Sequence, residues 1–144
     1  MKTVAAKFLL TIVVWLSPAK ILADDLVVVV NEANTTIAMS KAQVIDLFMG
    51  RYVAFPNGDK AAPVDSNDEF RALFYQQLIG MSLARVNAYW SRIKFTGRVR
   101  PPLMKSTTED VVDFIEATSN SIGYLPASEV TDGMRVIYRL QNDN

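Results

Sequence analysis

The feature that most constrains the fold is the apolar run "LVVVV" at residues 26–30, in which four valines follow one another. A strand with one face in water alternates apolar and polar residues, whereas this run has no polar position. Valine favours extended backbone because its branched Cβ packs well on a pleated surface. The run therefore predicts a strand that is buried on both faces.

Three polar pairs have the spacing of a capping box and mark helix starts. They are Ser40 with Gln43, Ser66 with Glu69, and Ser106 with Glu109. A further helix is indicated by apolar residues at helical spacing, namely Leu83, Val86, Trp90 and Ile93. Gly50 and Gly80 follow apolar runs and predict the ends of the first two helices.

The remaining segments indicate strands and loops. Residues 96–105, "TGRVRPPLMK", are predicted to lack regular structure because a glycine and two prolines interrupt them. Short strands are predicted at residues 122–125 and 134–140. The second helix is expected to bury Phe70, Leu73 and Phe74. The order of strands and helices predicts an α/β domain with a mixed sheet flanked by about four helices.

The amino terminus has the pattern of a secretory signal peptide. Lys2 and Lys7 precede the apolar segment 8–16, and a small residue, Ala23, ends the region. The apolar segment is shorter than the about 20 residues that span a bilayer. We therefore expect residues 1–23 to be a signal peptide cleaved after Ala23. Residues 24–144 would then be a single exported, periplasmic domain with no membrane span.

Composition excludes several kinds of function. The chain has no cysteine and no histidine, so it can form no disulfide, no Cys nucleophile, no His base and no Cys/His metal site. The 15 basic and 15 acidic residues balance, and removal of residues 1–23 leaves 12 basic against 15 acidic. This charge argues against binding to nucleic acid. We expect no enzyme, no catalytic residue, no metal site and no cofactor.

Four stretches in order resemble the small phosphate-type periplasmic solute-binding proteins of the type 2 periplasmic binding protein superfamily. They are "LVVVVNEAN", "VIDLFMGRYVAFPNGDKAAPVD", "YWSRIKFTG" and "SIGYLP". The resemblance implies a single-lobe form of this fold, because full-length members have two lobes that close on an anion. It also implies phosphate or another oxyanion as the ligand. The Ser-Gly-Thr turn of full-length members is replaced here by "VDSNDEFR", which contains three acidic residues.

The start of the second helix is the predicted ligand site. Free N–H groups and the helix dipole attract anions there. Ser66 and Asn67 could add donors, and Arg71 could clamp an anion through two hydrogen bonds. Tyr124 follows Gly123 and would place its hydroxyl near a strand end. The alternative is that Ser66 only caps the helix, that Arg71 is solvated, and that Gly123 only permits close packing.

Two charged stretches have simpler explanations as solvated surface. Five cations could bind an anion, an acidic partner or a lipid surface, namely Arg92, Lys94, Arg98, Arg100 and Lys105. Along one side of the fourth helix, Glu109, Asp113 and Glu116 could ligate a hard cation, and an exposed acidic face is the simpler explanation. The resemblance and the acidic residues before the second helix leave two functions open. The first is a solute-binding module related to phosphate transporter components. The second is an accessory protein that has lost the anion site and docks on a membrane transporter or sensor.

Overall fold

The computed structural model describes residues 25–141, which form one five-stranded mixed sheet with helices on both faces. The predicted signal peptide lies outside the described residues. The strands are β1 (Leu26–Asn31), β2 (Ala62–Asp65), β3 (Leu103–Met104), β4 (Ser121–Pro126) and β5 (Met134–Arg139). The helices are α1 (Lys41–Phe48), α2 (Asp68–Ile79), α3 (Leu83–Lys94) and α4 (Thr108–Ala117). The predicted fold class is confirmed.

The sheet order is β3-β2-β4-β1-β5. Strand β1 is antiparallel to both of its neighbours, β4 and β5, while β2 is parallel to β3 and β4. Every residue of β1 and β4 is buried. The two strands that hold the longest apolar runs are therefore adjacent in the sheet.

Two apolar clusters explain why the valine run has no polar position. Val28 and Val30 pack in a cluster with apolar side chains of α1, α2 and α3. Val27 and Val29 point to the other face and pack in a cluster with side chains of α4. Each valine therefore leaves water on whichever face it occupies, and the predicted double burial is confirmed.

The first helix begins and ends as predicted. Ser40 is the N-cap of α1, and both hydrogen bonds of the capping box with Gln43 are present. Gly50 follows the helix with a positive φ of 68°. Gly80, at the end of α2, has a φ of 66°. Glycine adopts this left-handed conformation without steric penalty, which is why both helices end there.

Two predicted capping boxes are wrong by one residue. The side chain of Asn67, not Ser66, caps α2 and accepts from the Phe70 N–H. The side chain of Thr107, not Ser106, caps α4 and accepts from the Asp110 N–H. In each case the residue after the predicted cap is also a favoured capping residue, so local sequence cannot choose between the two neighbours.

The buried face of α2 also differs from the prediction. Leu73 is 39% exposed, whereas Arg71, Phe74, Tyr75 and Leu78 are buried. The helix therefore turns the polar side chains of Arg71 and Tyr75 toward the interior. Both donate hydrogen bonds to Asp65 at the end of β2, which compensates for their burial.

Residues 103–104 correct the prediction of an unstructured loop. They pair with β2 in parallel register, Val64 with Leu103 and Asp65 with Met104, and form an edge strand. The Pro101-Pro102 pair lies just before this strand. Proline lacks an N–H group and cannot donate to a neighbouring strand, so the pair suits a position just before the strand begins.

Candidate functional site

The predicted site residues gather around one buried carboxylate at the end of β2. Asp65 is 1% exposed and is the last residue of that strand. Arg71 donates from Nε to Asp65 Oδ2 over 3.1 Å. Tyr124 Oη donates to Asp65 Oδ1 over 3.0 Å, and Tyr75 Oη donates to the same oxygen over 3.1 Å. A cation and two phenols therefore satisfy this carboxylate inside the domain.

Packing holds the donors in place. The ring of Tyr124 stacks on Phe74 with 3.7 Å between ring centres and 5° between planes. The guanidinium of Arg71 lies over the ring of Tyr75 at 5.7 Å, and its Nη1 donates to Asn87 Oδ1 over 2.9 Å. Helices α2 and α3 and strand β4 thus fix one arrangement around Asp65.

The backbone at the start of α2 is also engaged. Ser66 is buried, and its N–H donates to Tyr124 Oη over 3.1 Å. Tyr124 therefore donates to Asp65 and accepts from Ser66 through one hydroxyl. Asn67 caps the helix one residue later. Three of the four predicted site residues, Ser66, Arg71 and Tyr124, are joined through Asp65, and Asn67 lies beside them.

The alternative interpretation of two of these residues is wrong. Ser66 does not cap α2, because Asn67 is the N-cap; Ser66 itself is buried, and its backbone N–H donates to Tyr124 Oη. Arg71 is not solvated, because it is 7% exposed and pairs with Asp65. Burial of a cation is favourable only when a nearby anion compensates for its lost hydration. Asp65 supplies that anion.

Burial dominates the electrostatics of the cluster. It raises the pKa of the Asp65 carboxyl above its ordinary value, although the Arg71 charge and hydrogen bonds from Tyr124, Arg71 and Tyr75 oppose the shift. Burial and the neighbouring carboxylate raise the pKa of both Tyr75 and Tyr124 well above the ordinary value of tyrosine. Both phenols are therefore neutral donors at physiological pH, with no capacity to act as bases.

A cleft of about 460 Å³ opens beside this cluster. It lies between α2, α3 and residues 101–104. Its lining includes Arg71, Asn87 and Lys94, and also the acidic residues Asp65 and Asp68. Trp90 lines it as well, and the buried Nε1 of this residue has no hydrogen-bond partner within the described chain. The cleft thus combines groups that attract an anion with groups that repel one.

The sequence interpretation missed Asp65, Tyr75 and Asn87 as members of the cluster. In the sequence, Asp65 stands out only as one of three acidic residues in "VDSNDEFR". One signal was available, since Arg71 and Tyr75 are one helical turn apart on α2 and share a face. An Arg and a Tyr on the same face as Phe74 indicate that a buried acceptor must lie opposite.

Residues 25–141 contain neither a metal-binding cluster nor a membrane-spanning helix. No group of three or more acidic side chains there is arranged to hold a metal ion. The acidic residues along α4 therefore form no such group. None of the helices in this part of the chain is both long and apolar enough to cross a bilayer.

Three solved structures that share the fold have descriptions that name phosphate. One is a protein from Clostridium perfringens described as a phosphate ABC transporter substrate-binding protein with bound phosphate, with a TM-score of 0.64 and 14% identity. The second is an ABC-type phosphate transport receptor from Vibrio cholerae, with a TM-score of 0.61 and 14% identity. The third is a possible phosphate-binding protein from Planctomyces limnophilus, with a TM-score of 0.55 and 15% identity.

These matches establish the fold of the chain. Each match covers 79% of this chain. The same matches cover 44%, 45% and 40% of the three solved proteins, in the order given. The chain therefore spans less than half the length of the structures it matches. No protein-family model matches the sequence, and no curated protein matches it. The resemblance noted from the sequence is thus confirmed at the level of the fold.

Proposed function

We infer that this chain is a non-catalytic solute-binding module of one lobe, related in function to phosphate transporter components. The observation that carries the proposal is the shared fold with three solved proteins named for phosphate transport or binding. The three are binding proteins rather than enzymes by their descriptions. The predicted signal peptide supports the proposal that the module is exported to the periplasm.

The ligand proposed for the module is phosphate or a similar oxyanion, held in the cleft beside α2. Arg71, Asn87 and Lys94 supply positive charge and hydrogen-bond donors on its walls. The start of α2 adds helix N–H groups and the positive end of the helix dipole. Asn67 caps that end, and Ser66 and Tyr124 hold the adjoining backbone.

The affinity of the isolated chain is expected to be weak. Asp65 already uses donors of Arg71 and Tyr124 that would otherwise reach an anion. Asp68 is exposed at the first turn of α2 and adds a repulsive charge. A single lobe would also leave one side of the ligand in water. High affinity therefore requires a second protein to cover the cleft.

Calorimetric titration of phosphate tests this proposal, with sulfate as the control anion. The protein is unfolded and refolded first so that carried ligand is removed. Saturable heat for phosphate is expected. Phosphate at about 100 times its dissociation constant should raise the free energy of unfolding by about 2.7 kcal/mol. No heat and no stabilisation at millimolar phosphate would overturn the proposal that the chain binds phosphate alone.

Removal of the exposed charge at the start of α2 gives a sharper test. The Asp68→Asn variant should bind phosphate up to about tenfold more tightly, since close like charges near a protein surface repel by on the order of 1 kcal/mol or more. Asp110→Asn is the matched control, because Asp110 is an exposed acid in the first turn of α4. Equal effects of both variants would mean that the cleft is not the site.

The buried carboxylate favours a second candidate function. Asp65 occupies the place where the anion of a ligand would meet Arg71 and Tyr124. An internal anion in that position suits an accessory protein that no longer binds a solute and docks on a transporter or sensor. An Asp65→Asn, Asp68→Asn double variant distinguishes the two candidates. If phosphate binding appears only in this variant, the natural protein is not a phosphate binder.

A further inference from the structure

A groove on another part of the surface carries an inference that goes beyond the proposed function. A cavity of about 470 Å³ lies between the end of α1, the start of β2 and residues 97–103. It continues along the same residues 97–103 past β3. We call it the basic groove and define it by six residues: Tyr52, Val53, Lys60, Arg98, Arg100 and Leu103.

The apolar part of the basic groove is unusually open to solvent. Tyr52 is 66% exposed, Val53 is 54% exposed and Leu103 is 49% exposed. Scattered exposed apolar residues are normal, but these three line one concave surface. A concave apolar surface rimmed by charge is typical of a site that another molecule covers.

The charge of the groove has one sign. Lys60, Arg98 and Arg100 are all exposed, and no acidic residue of the described chain lines the groove. None of these three cations takes part in an ion pair within residues 25–141, where the pairs are Arg51 with Asp46 and Arg71 with Asp65. The described residues thus leave this positive surface without a counter-charge, so an acidic partner would be attracted to it.

The backbone beside the groove favours an extended peptide as the occupant. Strand β3 is at the edge of the sheet and pairs with β2 on one side only. Its other edge can hydrogen-bond to an added chain segment, while pockets beside it take alternate side chains. A flat bilayer would not enter a concave groove of this kind.

We propose that the basic groove, through Lys60, Arg98 and Arg100 around Tyr52, Val53 and Leu103, binds an extended segment of a partner protein in which acidic and apolar residues alternate. The acidic side chains meet the three cations, and the apolar side chains cover the exposed tyrosine, valine and leucine. This site is separate from the cleft at Arg71, and neither binding event requires the other.

The experiment measures binding of a fluorescein-labelled short peptide that alternates Glu and Leu to the full chain by anisotropy. Saturable binding that weakens as salt is raised is expected. Arg100→Glu and Arg98→Glu should each raise the dissociation constant at least about fivefold, since reversal of a charge replaces attraction with repulsion. Lys41→Glu is the matched control, because Lys41 is exposed on α1 outside the groove, and it should change binding less than about twofold.

The control peptides test both parts of the recognition. A Lys/Leu peptide should not bind, and a Glu/Ser peptide should bind at least about fivefold more weakly than the Glu/Leu peptide because it buries no apolar side chain. Thermal unfolding of each variant shows that the domain remains folded. Phosphate should not displace the peptide, so loss of phosphate binding in the titration above leaves this inference standing.

Several outcomes would overturn the inference. Binding that is unchanged in both Arg98→Glu and Arg100→Glu would place the peptide elsewhere. Failure of the peptide to bind, together with Arg100-dependent binding to vesicles of phosphatidylglycerol and phosphatidylcholine, would assign the groove to a lipid surface. Failure of the peptide to bind, together with concentration-dependent dimerisation that Arg100→Glu abolishes, would assign it to a second copy of the chain.

Discussion

At the scale of single residues, the pair formed by Asp65 and Arg71 decides what the α2 end of the domain can do. Asp65 is the last residue of β2, and Arg71 lies in the first turns of α2. Their 3.1 Å ion pair is buried, so each charge depends on the other for compensation. The pair therefore links stability to the same groups that an anionic ligand would use.

Removal of the cation should destabilise the domain strongly. Arg71→Met leaves the Asp65 carboxylate buried without its ion-pair partner, and we expect the free energy of unfolding to fall by about 3–5 kcal/mol. Urea unfolding measures this loss. Arg92→Met is the control, since Arg92 is exposed on α3 and the expected change is within about 0.5 kcal/mol. Equal stability of the Arg71→Met variant and the wild type would mean that the ion pair contributes nothing.

The pH dependence of stability follows from the raised pKa of Asp65. When the pKa of a carboxyl is higher in the folded than in the unfolded state, its contribution to stability is greatest at pH values below the unfolded pKa of about 3.9. This contribution is lost as pH rises through the folded-state pKa. The free energy of unfolding of the wild type, relative to that of Asp65→Asn, should therefore fall as pH is raised above about 4. Urea unfolding of both proteins at several pH values tests this. A relative free energy that rises with pH would show that the charge of Arg71 outweighs burial.

At the scale of elements, Gly123 explains how β4 fits between its neighbours. A Cβ atom at this position would lie 2.7 Å from Val64 Cγ1 and 2.9 Å from Ile115 Cδ1. Val64 belongs to the adjoining strand β2, and Ile115 belongs to α4. The glycine is therefore needed for close packing of a strand against both a strand and a helix, which is the simpler of the two roles that the sequence allowed.

Replacement of this glycine should disturb the packing. Gly123→Ala is expected to lower the free energy of unfolding by about 1–3 kcal/mol, because the added methyl group overpacks the site. The same substitution in a Val64→Ala background should have a smaller effect, since the shortened side chain makes room. A double-mutant cycle by urea unfolding measures this coupling. Equal effects in both backgrounds would contradict the packing explanation.

At the scale of the whole molecule, burial is greatest in the middle of the sheet and least at one edge. Strands β1 and β4 are buried along their whole length, whereas both residues of β3 are exposed. Regions with little buried apolar surface open at lower free energy than the central strands. The basic groove lies at this exposed edge.

Hydrogen exchange should follow the same gradient. We expect amides of residues 27–30 and 122–125 to exchange only through global unfolding, and amides of residues 97–104 to exchange through local opening. Mass spectrometry of exchanged peptides measures both rates. Bound Glu/Leu peptide should slow exchange in residues 97–104 and leave the rest unchanged. Slow exchange at residues 97–104 without the peptide would contradict this expectation.

Local chemistry in the sequence was enough to predict the layered architecture. The four valines have no polar position and need an apolar layer on each face, which determines a central strand. The capping box of Ser40 with Gln43 starts a helix, and Gly50 and Gly80 end one. These effects reach only one or two helical turns, so neighbouring residues are enough to predict them. The α/β class and the limits of α1 therefore follow from the sequence itself.

Tertiary structure alone decided how the polar residues near the start of α2 are used. Ser66 and Asn67 are both suited to cap the helix, but Asn67 is the N-cap, and the backbone N–H of Ser66 donates to the hydroxyl of Tyr124, 58 residues away. Arg71 is suited to a ligand, to solvent or to an internal partner, and the buried position of Asp65 selects the last. Such choices depend on contacts between residues far apart in sequence, because the free energy of a buried charge or donor is set by what surrounds it in space.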